Sequence, residues 1–369
     1  MHLANLKLIN FKNYQNEAFT FTSEINGFVG DNGAGKTNLL DAIHYLSLTK
    51  SFLNSIDYQN LRHGQEFFSL LGTYSKDQAE FKVKCQLKAG EKKIISLNNN
   101  FYDKLSEHIG LFPLVLIAPY DTDIIRGNND IRRKFFDGVI AQLDRQYLVD
   151  LLKYNHALRQ RNYVLRYTES HNQVDMDLIE PYDQILISTG QKIYNQRKQF
   201  LEMALPFIQE HYEHISDHKE HIRFKYRSDV DSDNFEINFK RALKNDLAAK
   251  RTHIGIHKDE YKIEIDGYPI KKYGSQGQQK SLIVALKLAQ FDILRKKNGF
   301  KPIILMDDIF DKLDEHRINK ILNLVAGHTF GQIFITDARP ERTNAIFNDI
   351  QADKIIYEIK DGSIVQVKS

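Results

Sequence analysis

Apolar and polar residues alternate from Leu3 to Ile9 and again from Ala18 to Thr22, the period-two signature of half-buried strands. A further predicted strand, Ile25 to Val29, then leads into a glycine-rich segment. From Lys36 to Leu48 the period lengthens, and Leu39, Leu40, Ile43 and Leu46 share one face of a predicted helix. Phe68 to Tyr74, Phe81 to Leu87 and Ile94 to Leu97 predict an antiparallel meander, and Leu111 to Ile117 a buried strand ending at Pro119.

The texture changes near Asp130. Between Arg132 and Tyr167 the apolar positions Phe136, Val139, Ile140, Leu143, Tyr147, Leu151, Leu158 and Leu165 keep helical spacing over many turns. A polar break, Glu169 to Asp175, precedes a second long helix from Met176 to Ile215, expected to be interrupted near Pro181 and Pro206. Two long helices joined by a short polar loop predict an antiparallel hairpin. A short strand, Ile222 to Tyr226, and a helix from Phe235 to Ala248 follow. The final third alternates: a hairpin over Tyr261 to Ile270, a helix over Gly277 to Arg295, a strand over Ile303 to Met306, a helix over Arg317 to Val325, and a strand over Gln332 to Thr336. Such alternation predicts a parallel α/β sheet. The expected organisation is one α/β head built from residues 1–125 and 250–369, with residues 126–249 inserted as a helical arm. With about 110 residues to spend, each arm helix reaches at most about 60 Å, which excludes a long coiled-coil tether.

Composition narrows the class only a little. The chain has 369 residues, an ordinary charged fraction of 27%, and a net charge of +3. One cysteine, Cys85, excludes an internal disulfide and suits a reducing cytoplasm. No apolar run approaches the roughly 20 residues that span a bilayer, so no membrane partner is expected, nor is a signal peptide.

Candidate chemistry begins at Gly30, Asp31, Asn32, Gly33, Ala34, Gly35, Lys36, Thr37 and Asn38. This is a full P-loop pattern with a strand before it and a helix after it. Its backbone N–H groups and helix N-terminus suit the phosphates of ATP. Lys36 is expected to reach the β- and γ-phosphates, and the Thr37 hydroxyl to ligate Mg²⁺. The strand Ile303 to Met306 ends in Asp307 and Asp308. Asp307 is the second candidate Mg²⁺ ligand and Asp308 the candidate general base. Asp308 stands where ABC-type ATPases usually carry Glu, one methylene longer, so slow turnover is expected.

A second phosphate-handling segment, Gly274, Ser275, Gln276, Gly277, Gln278 and Gln279, lies far downstream at a predicted helix start. It resembles the signature segment with which ABC-type ATPases reach the nucleotide of a partner subunit. Serine hydroxyl and first-turn N–H groups can bind an anion, though Ser275 would serve equally as a plain N-cap. Asp311, Lys312, Leu313 and Asp314 resemble the D-loop of a dimer seam. Thr336, where many such ATPases carry a switch histidine, can hydrogen-bond a γ-phosphate or a water but cannot act as a charged acid.

In this order and spacing the motifs resemble those of the RecF family, recombinational repair ATPases related to SMC proteins. The resemblance covers essentially the whole chain. It includes the opening Leu3, Leu6, Leu8, Asn10, Phe11, Asn13 and Tyr14, the P-loop, the Ser275 to Lys280 segment, and Ile124, Ile125, Gly127, Arg132, Arg133, Phe135 and Asp137. Tyr120 departs from it, standing where the family favours an acid. The resemblance implies an ABC-type, SMC-like P-loop ATPase head with an inserted α-helical arm. It also implies an ATP-dependent homodimer on DNA at single-stranded gaps and duplex junctions. RecO, RecR and RecA are its implied partners. The ATPase subunit of a membrane transporter, or a nucleotide-gated DNA scaffold without useful turnover, are the alternatives.

For DNA contact the sequence offers Arg132, Arg133, Lys134, Lys153, Arg159, Arg161, Arg166, Arg197 and Lys198, a set that would give salt-sensitive, sequence-indifferent binding. His211, His214, His218 and His221 fall near one helix face, but no cysteine or tight acid-backed pair completes a metal site.

Overall fold

The computed structural model describes residues 1–167, 176–216, 220–309, 329–348 and 350–368. In chain order the elements open with β1 (His2–Phe11), β2 (Tyr14–Thr20), β3 (Ile25–Val29), α1 (Lys36–Leu48), β4 (Phe67–Lys76), β5 (Ala79–Lys88), β6 (Ile94–Leu97), β7 (Asn100–Phe101) and β8 (Leu114–Ile117). A helical stretch follows, α2 (Asp123–Arg126), α3 (Asn129–Leu143), α4 (Arg145–Tyr167) and α5 (Met176–Ser216). Next come β9 (Ile222–Arg227), α6 (Phe235–Arg241), α7 (Leu243–Ala249), β10 (Glu260–Ile265), β11 (Tyr268–Pro269), α8 (Ile270–Tyr273) and α9 (Gln276–Asn298). Then β12 (Ile303–Met306), β13 (Ile333–Asp337), α10 (Pro340–Asn348), β14 (Lys354–Lys360) and β15 (Ser363–Lys368) complete the described elements.

The chain divides into two compact units, Met1–Asp121 with Val284–Ser369, and Thr122–Ile283. The first unit holds two six-stranded sheets. One runs β15-β14-β3-β13-β12-β8, with β14, β3, β13, β12 and β8 mutually parallel and β15 antiparallel at the edge. Every residue of β3, β12 and β13 is buried, which is why β12 reads as an unbroken apolar run and β3 and β13 as largely apolar ones. The other sheet, β2-β1-β4-β5-β6-β7, is antiparallel and alternates. Phe19 and Phe21 pack on Phe28, Phe334 and Tyr357, joining the two sheets through edge-to-face rings. The expected strands are present, but β14 takes the place beside β3, and neither it nor β15 was read from the sequence.

The second unit is more than a helical arm. Its boundary lies at 283 rather than 249 because β9 pairs along its whole length with β10, from Arg227↔Glu260 to Ile222↔Ile265. The hairpin over 260–269 therefore belongs with the arm. α4 and α5 form the expected antiparallel pair, although residues 168–175 between them lie outside the described set. Three helices differ from expectation, the one over Phe235 to Ala248 being divided at Ala242 into α6 and α7. The run through Tyr167 breaks at Asp144, whose extended backbone and carboxylate cap α4 by accepting from the N–H of Gln146 (2.8 Å) and Tyr147 (3.2 Å). Conversely α5 continues through Pro181 and Pro206. Its buried face, Ile179, Leu186, Ile193, Phe200, Ala204, Ile208 and Tyr212, outweighs the hydrogen bond each proline removes.

Two of the arginines proposed for DNA contact are instead structural. Arg197 is 1% exposed, forks onto both oxygens of Asp137 (2.9 and 2.8 Å), and reaches Asp259 Oδ2 at 2.6 Å. Arg161 is 0% exposed and binds Asp183 (2.5 Å), Asp246 (2.6 Å) and Thr252 (2.8 Å). Solvent, and hence a phosphate backbone, cannot reach either. Arg132 is also committed, donating to the carbonyls of Ile124, Ile125 and Gly127. Arg133 donates to the Asp259 carbonyl at 2.7 Å. Lys134, Lys153, Arg159, Arg166 and Lys198 are exposed. Of the four histidines, His218 lies outside the described residues. Among those described, no group of three or more His, Cys, Asp or Glu side chains is placed to hold a metal.

Replacing Arg197 by Met strands two acids, so Arg197→Met should cost about 3–5 kcal/mol in urea unfolding. Lys134→Ala should change stability by less than about 0.5 kcal/mol.

Two buried imidazoles set an acid limit. His44 donates from Nδ1 to the Lys50 carbonyl at 2.9 Å, and burial pushes its pKa down to about 4. His257 donates from Nε2 to the Thr252 carbonyl (3.0 Å) and accepts at Nδ1 from the Tyr154 hydroxyl (2.8 Å). Burial pushes His257 down to about 4 as well. Unfolded histidine binds its proton near 6.5 while these folded ones refuse it, so stability is lost as pH falls from about 6.5 toward about 4. The urea midpoint should therefore drop between pH 7.5 and pH 5, and His44→Asn should flatten that drop.

Candidate functional site

The loop after β3 turns under tight backbone constraint. Gly30 sits at φ 145°, and a Cβ there would lie 2.2 Å from the Ile359 carbonyl oxygen at the end of β14. Gly35 sits at φ 117°, and a Cβ would strike the Asn13 amide at 2.4 Å. Glycine is required at both on conformational and steric grounds. Asn13, in the turn between β1 and β2, donates to the Ala34 carbonyl (3.0 Å) and accepts from Asn38 Nδ2 (2.8 Å). The Tyr14 hydroxyl donates to the Gly35 carbonyl at 3.0 Å, and the Gly362 N–H, in the β14–β15 turn, donates to Ala34 at 2.8 Å. The loop is thus held through its carbonyls from outside, and internally by the Ala34 N–H, which donates to the Asp31 carbonyl at 3.1 Å. The sequence reading noted Asn13 and Tyr14 as part of a resemblance and gave them no role. A polar pair at a strand turn was the available signal.

α1 starts at Gly35 with no side-chain cap and no acid in its first turn. Its first N–H groups therefore keep their positive end for an anion. Lys36, 4% exposed, folds its ammonium onto the carbonyls of Gly30 (2.7 Å) and Asp31 (3.0 Å). Asp31 and Asn32 are exposed at the loop crest, beside Gly33.

Asp307 is the convergence point. Its Oδ1 accepts from the hydroxyls of Thr37 (2.9 Å) and Thr336 (2.8 Å). Burial holds its pKa above the usual carboxylate range, partly opposed by these two bonds. A hydroxyl and a carboxylate oxygen sharing one point form a hard oxygen pair of the kind Mg²⁺ takes together with phosphate oxygens, so the residues fit that ion. Asp308 follows in the left-handed region at φ 44°, its N–H donating to Thr336 Oγ1 at 3.0 Å. Thr336 is 0% exposed, and its hydroxyl both donates and accepts within this cluster. Tyr120, at the end of β8 and 38% exposed, has its phenol pKa raised by burial and then by Asp307, Asp121 and Asp41. Behind α1, Asp41 and Lys12 form a buried ion pair at 2.5 Å, and Asp41 also holds Ser51 (2.7 Å) and the Phe52 N–H (2.8 Å).

The second segment lies in the other unit, at the start of α9. Ser275 and Gln278 cap each other. The Gln278 N–H donates to Ser275 Oγ (3.1 Å) and Gln278 Oε1 accepts from the Ser275 N–H (2.6 Å). Both alternatives raised by the sequence are compatible here: Ser275 is an N-cap, and its hydroxyl hydrogen can still be donated outward. Ser275 and Gln276 are exposed and Gly277 is half-buried. Gln279 is 6% exposed, accepts from Arg126 Nε (2.7 Å) and donates to the Gly274 carbonyl (2.9 Å). A cap alone does not explain why glutamine recurs at 278 and 279; these bonds do. Asp311 to Asp314 lie outside the described residues.

Comparison with known proteins agrees with this architecture. The family RecF/RecN/SMC N terminal domain matches residues 2–356. The DNA replication and repair protein RecF of Flavobacterium johnsoniae is 46% identical, over 97% of this chain and 100% of that one. Its counterpart from Cytophaga hutchinsonii is 43% identical, over 99% and 97%. Among solved structures, the recombination mediator protein RecF with ATP superposes with a TM-score of 0.87 at 30% identity, covering 98% of both chains. An Smc head domain from Pyrococcus furiosus, at 16% identity and a TM-score of 0.57, shares the fold. The transporter alternative is thereby set aside: with its SMC-like, ABC-type ATPase head, this chain belongs to the RecF family.

Proposed function

We propose that the chain is an ATP-dependent DNA-binding protein of recombinational repair and replication restart, acting in the cytoplasm. The observation that carries this reading is the pairing of two incomplete phosphate sites within one chain. One has a lysine-bearing loop with the Thr37–Asp307–Thr336 cluster. The other has an exposed, capped helix start whose serine oxygen accepts from the helix and whose hydroxyl hydrogen remains to be donated.

On this reading ATP enters the loop over 30–37, and its phosphates draw the Lys36 ammonium off the Gly30 and Asp31 carbonyls. Mg²⁺ supplies charge neutralisation for the β- and γ-phosphates, held by Thr37 and Asp307. Raised by burial, the Asp307 pKa makes this hold weaken as pH falls toward the carboxylate range. Asp308 orients or deprotonates the attacking water. Thr336, already bonded to Asp307 and to the Asp308 N–H, keeps these two aspartates in register and acts as a positioning residue. The γ-phosphate completes its shell from Ser275 and the first-turn N–H groups of Gln276 and Gly277 on a second copy. ATP thus closes a homodimer on DNA, and slow, DNA-dependent hydrolysis reopens it. The solved RecF structures belong to the RecFOR pathway. By that kinship the partners are RecO and RecR, with RecA loading as the outcome, at single-stranded gaps and duplex junctions.

Sedimentation with and without ATP tests the mechanism. Wild type should dimerise only with ATP, Lys36→Ala should lose nucleotide binding, and Ser275→Arg should bind ATP and stay monomeric. A wild type that never associates would refute the closure. Asp308→Asn should lower turnover by about 10²–10⁴-fold while leaving the ATP-bound dimer intact. Unchanged turnover would mark the protein as a nucleotide-gated scaffold.

A further inference from the structure

The reciprocal cap at Ser275 works in only one orientation of the Gln278 amide. Oε1 must face the Ser275 N–H, as it does at 2.6 Å. With the amide reversed, Nε2 would meet that N–H, donor against donor, and the cap would keep only the bond from the Gln278 N–H to Ser275 Oγ. The Ser275 backbone, and with it the placement of its hydroxyl, would then be held less firmly.

One side chain selects the working orientation. Glu220, just before β9, accepts from Gln278 Nε2 at 2.8 Å through Oε1. A carboxylate has acceptors only, so it stabilises the amide with its donor end outward and its acceptor end on Ser275. Glu220 is in turn oriented by α5, since the Tyr212 hydroxyl donates to its other oxygen. Tyr212 is 0% exposed, so this anchor is rigid. The order of dependence is α5, Tyr212, Glu220, Gln278, Ser275.

We infer that Glu220 is a positioning residue for the phosphate site formed in trans, fixing the Ser275 backbone through the Gln278 amide, and with it the place of the Ser275 hydroxyl, and tying both to the end of α5. This rests on the reading that Ser275 meets a partner's triphosphate. Glu220 does not touch nucleotide. Its effect appears in ATP-driven association and not in ATP binding by the loop over 30–37.

The experiment compares Glu220→Ala, Gln278→Glu and the exchange Glu220→Gln with Gln278→Glu. Each is measured by sedimentation with ATP, with fluorescent-nucleotide binding and thermal melting alongside. Glu220→Ala should keep ATP affinity and melting temperature and weaken association about tenfold, the scale of one helix cap felt at both sites of a symmetric pair. Gln278→Glu sets two carboxylates together and should weaken it at least as much. The exchange restores a donor at 220 and a pure acceptor at 278, and should return association to within about threefold of wild type. Wild-type association in Glu220→Ala, or an exchange no better than Gln278→Glu alone, would overturn the inference. So would loss of ATP binding or a fallen melting temperature in Glu220→Ala. Ser275→Arg separates the levels. If it associates normally, the in-trans reading itself fails. If it blocks association while the exchange does not rescue, only the role of Glu220 fails.

Discussion

The constraint on which the nucleotide site depends is the grip on the outward carbonyls of the glycine loop. A phosphate-binding loop has to present N–H groups inward, and so has to dispose of its carbonyls elsewhere. Here Asn13 and the Gly362 N–H share Ala34, while Tyr14 takes Gly35. Two turns from distant parts of the chain thus shape the concavity before any phosphate enters. The Asn13 turn also explains why Gly35 admits no side chain, as the Ile359 carbonyl of β14 does for Gly30. Lys36 rests its ammonium on two neutral carbonyls of its own loop, weaker acceptors than a phosphate would be.

Around this loop, polar groups are buried where they also organise structure. Asp307 joins α1, β12 and β13 through two threonine hydroxyls, so the candidate metal ligand and the strand register are set together. In the second unit Arg197 ties α3, α5 and the segment before β10, and Arg161 ties α4, α5 and the end of α7. Such pairs offer little net stabilisation over apolar packing, but breaking one is costly. They favour one register of the long helices, where a continuous apolar stripe would tolerate sliding.

Much of the first unit was legible because its signals are local. The apolar runs of β3, β12 and β13, the P-loop spacing and the paired aspartates each declare themselves within about ten residues. Residues whose role depends on folding were not legible. Asn13 and Tyr14 look like ordinary turn residues until the loop folds over them. Arg161 and Arg197 carry the same letters as surface arginines, and their burial follows from Asp137, Asp183, Asp246 and Asp259 arriving from elsewhere in sequence. β14 alternates weakly, so its place beside β3 was hidden, and the pairing of β9 with β10 moved the unit boundary past any composition shift. Gln278 was read as a nucleotide contact from position alone. Its side chain is taken up by Ser275 and Glu220.

The Gly362–Ala34 bond carries a consequence for biosynthesis. Residues 1–48 leave the ribosome early and already contain the complete nucleotide motif. Yet β14, which flanks β3, and the turn that holds the motif's carbonyl are translated hundreds of codons afterwards. A nascent or prematurely terminated chain therefore lacks both the strand beside β3 and one of the three bonds that hold the loop's carbonyls, and only a polypeptide made through its β14–β15 hairpin has the full set.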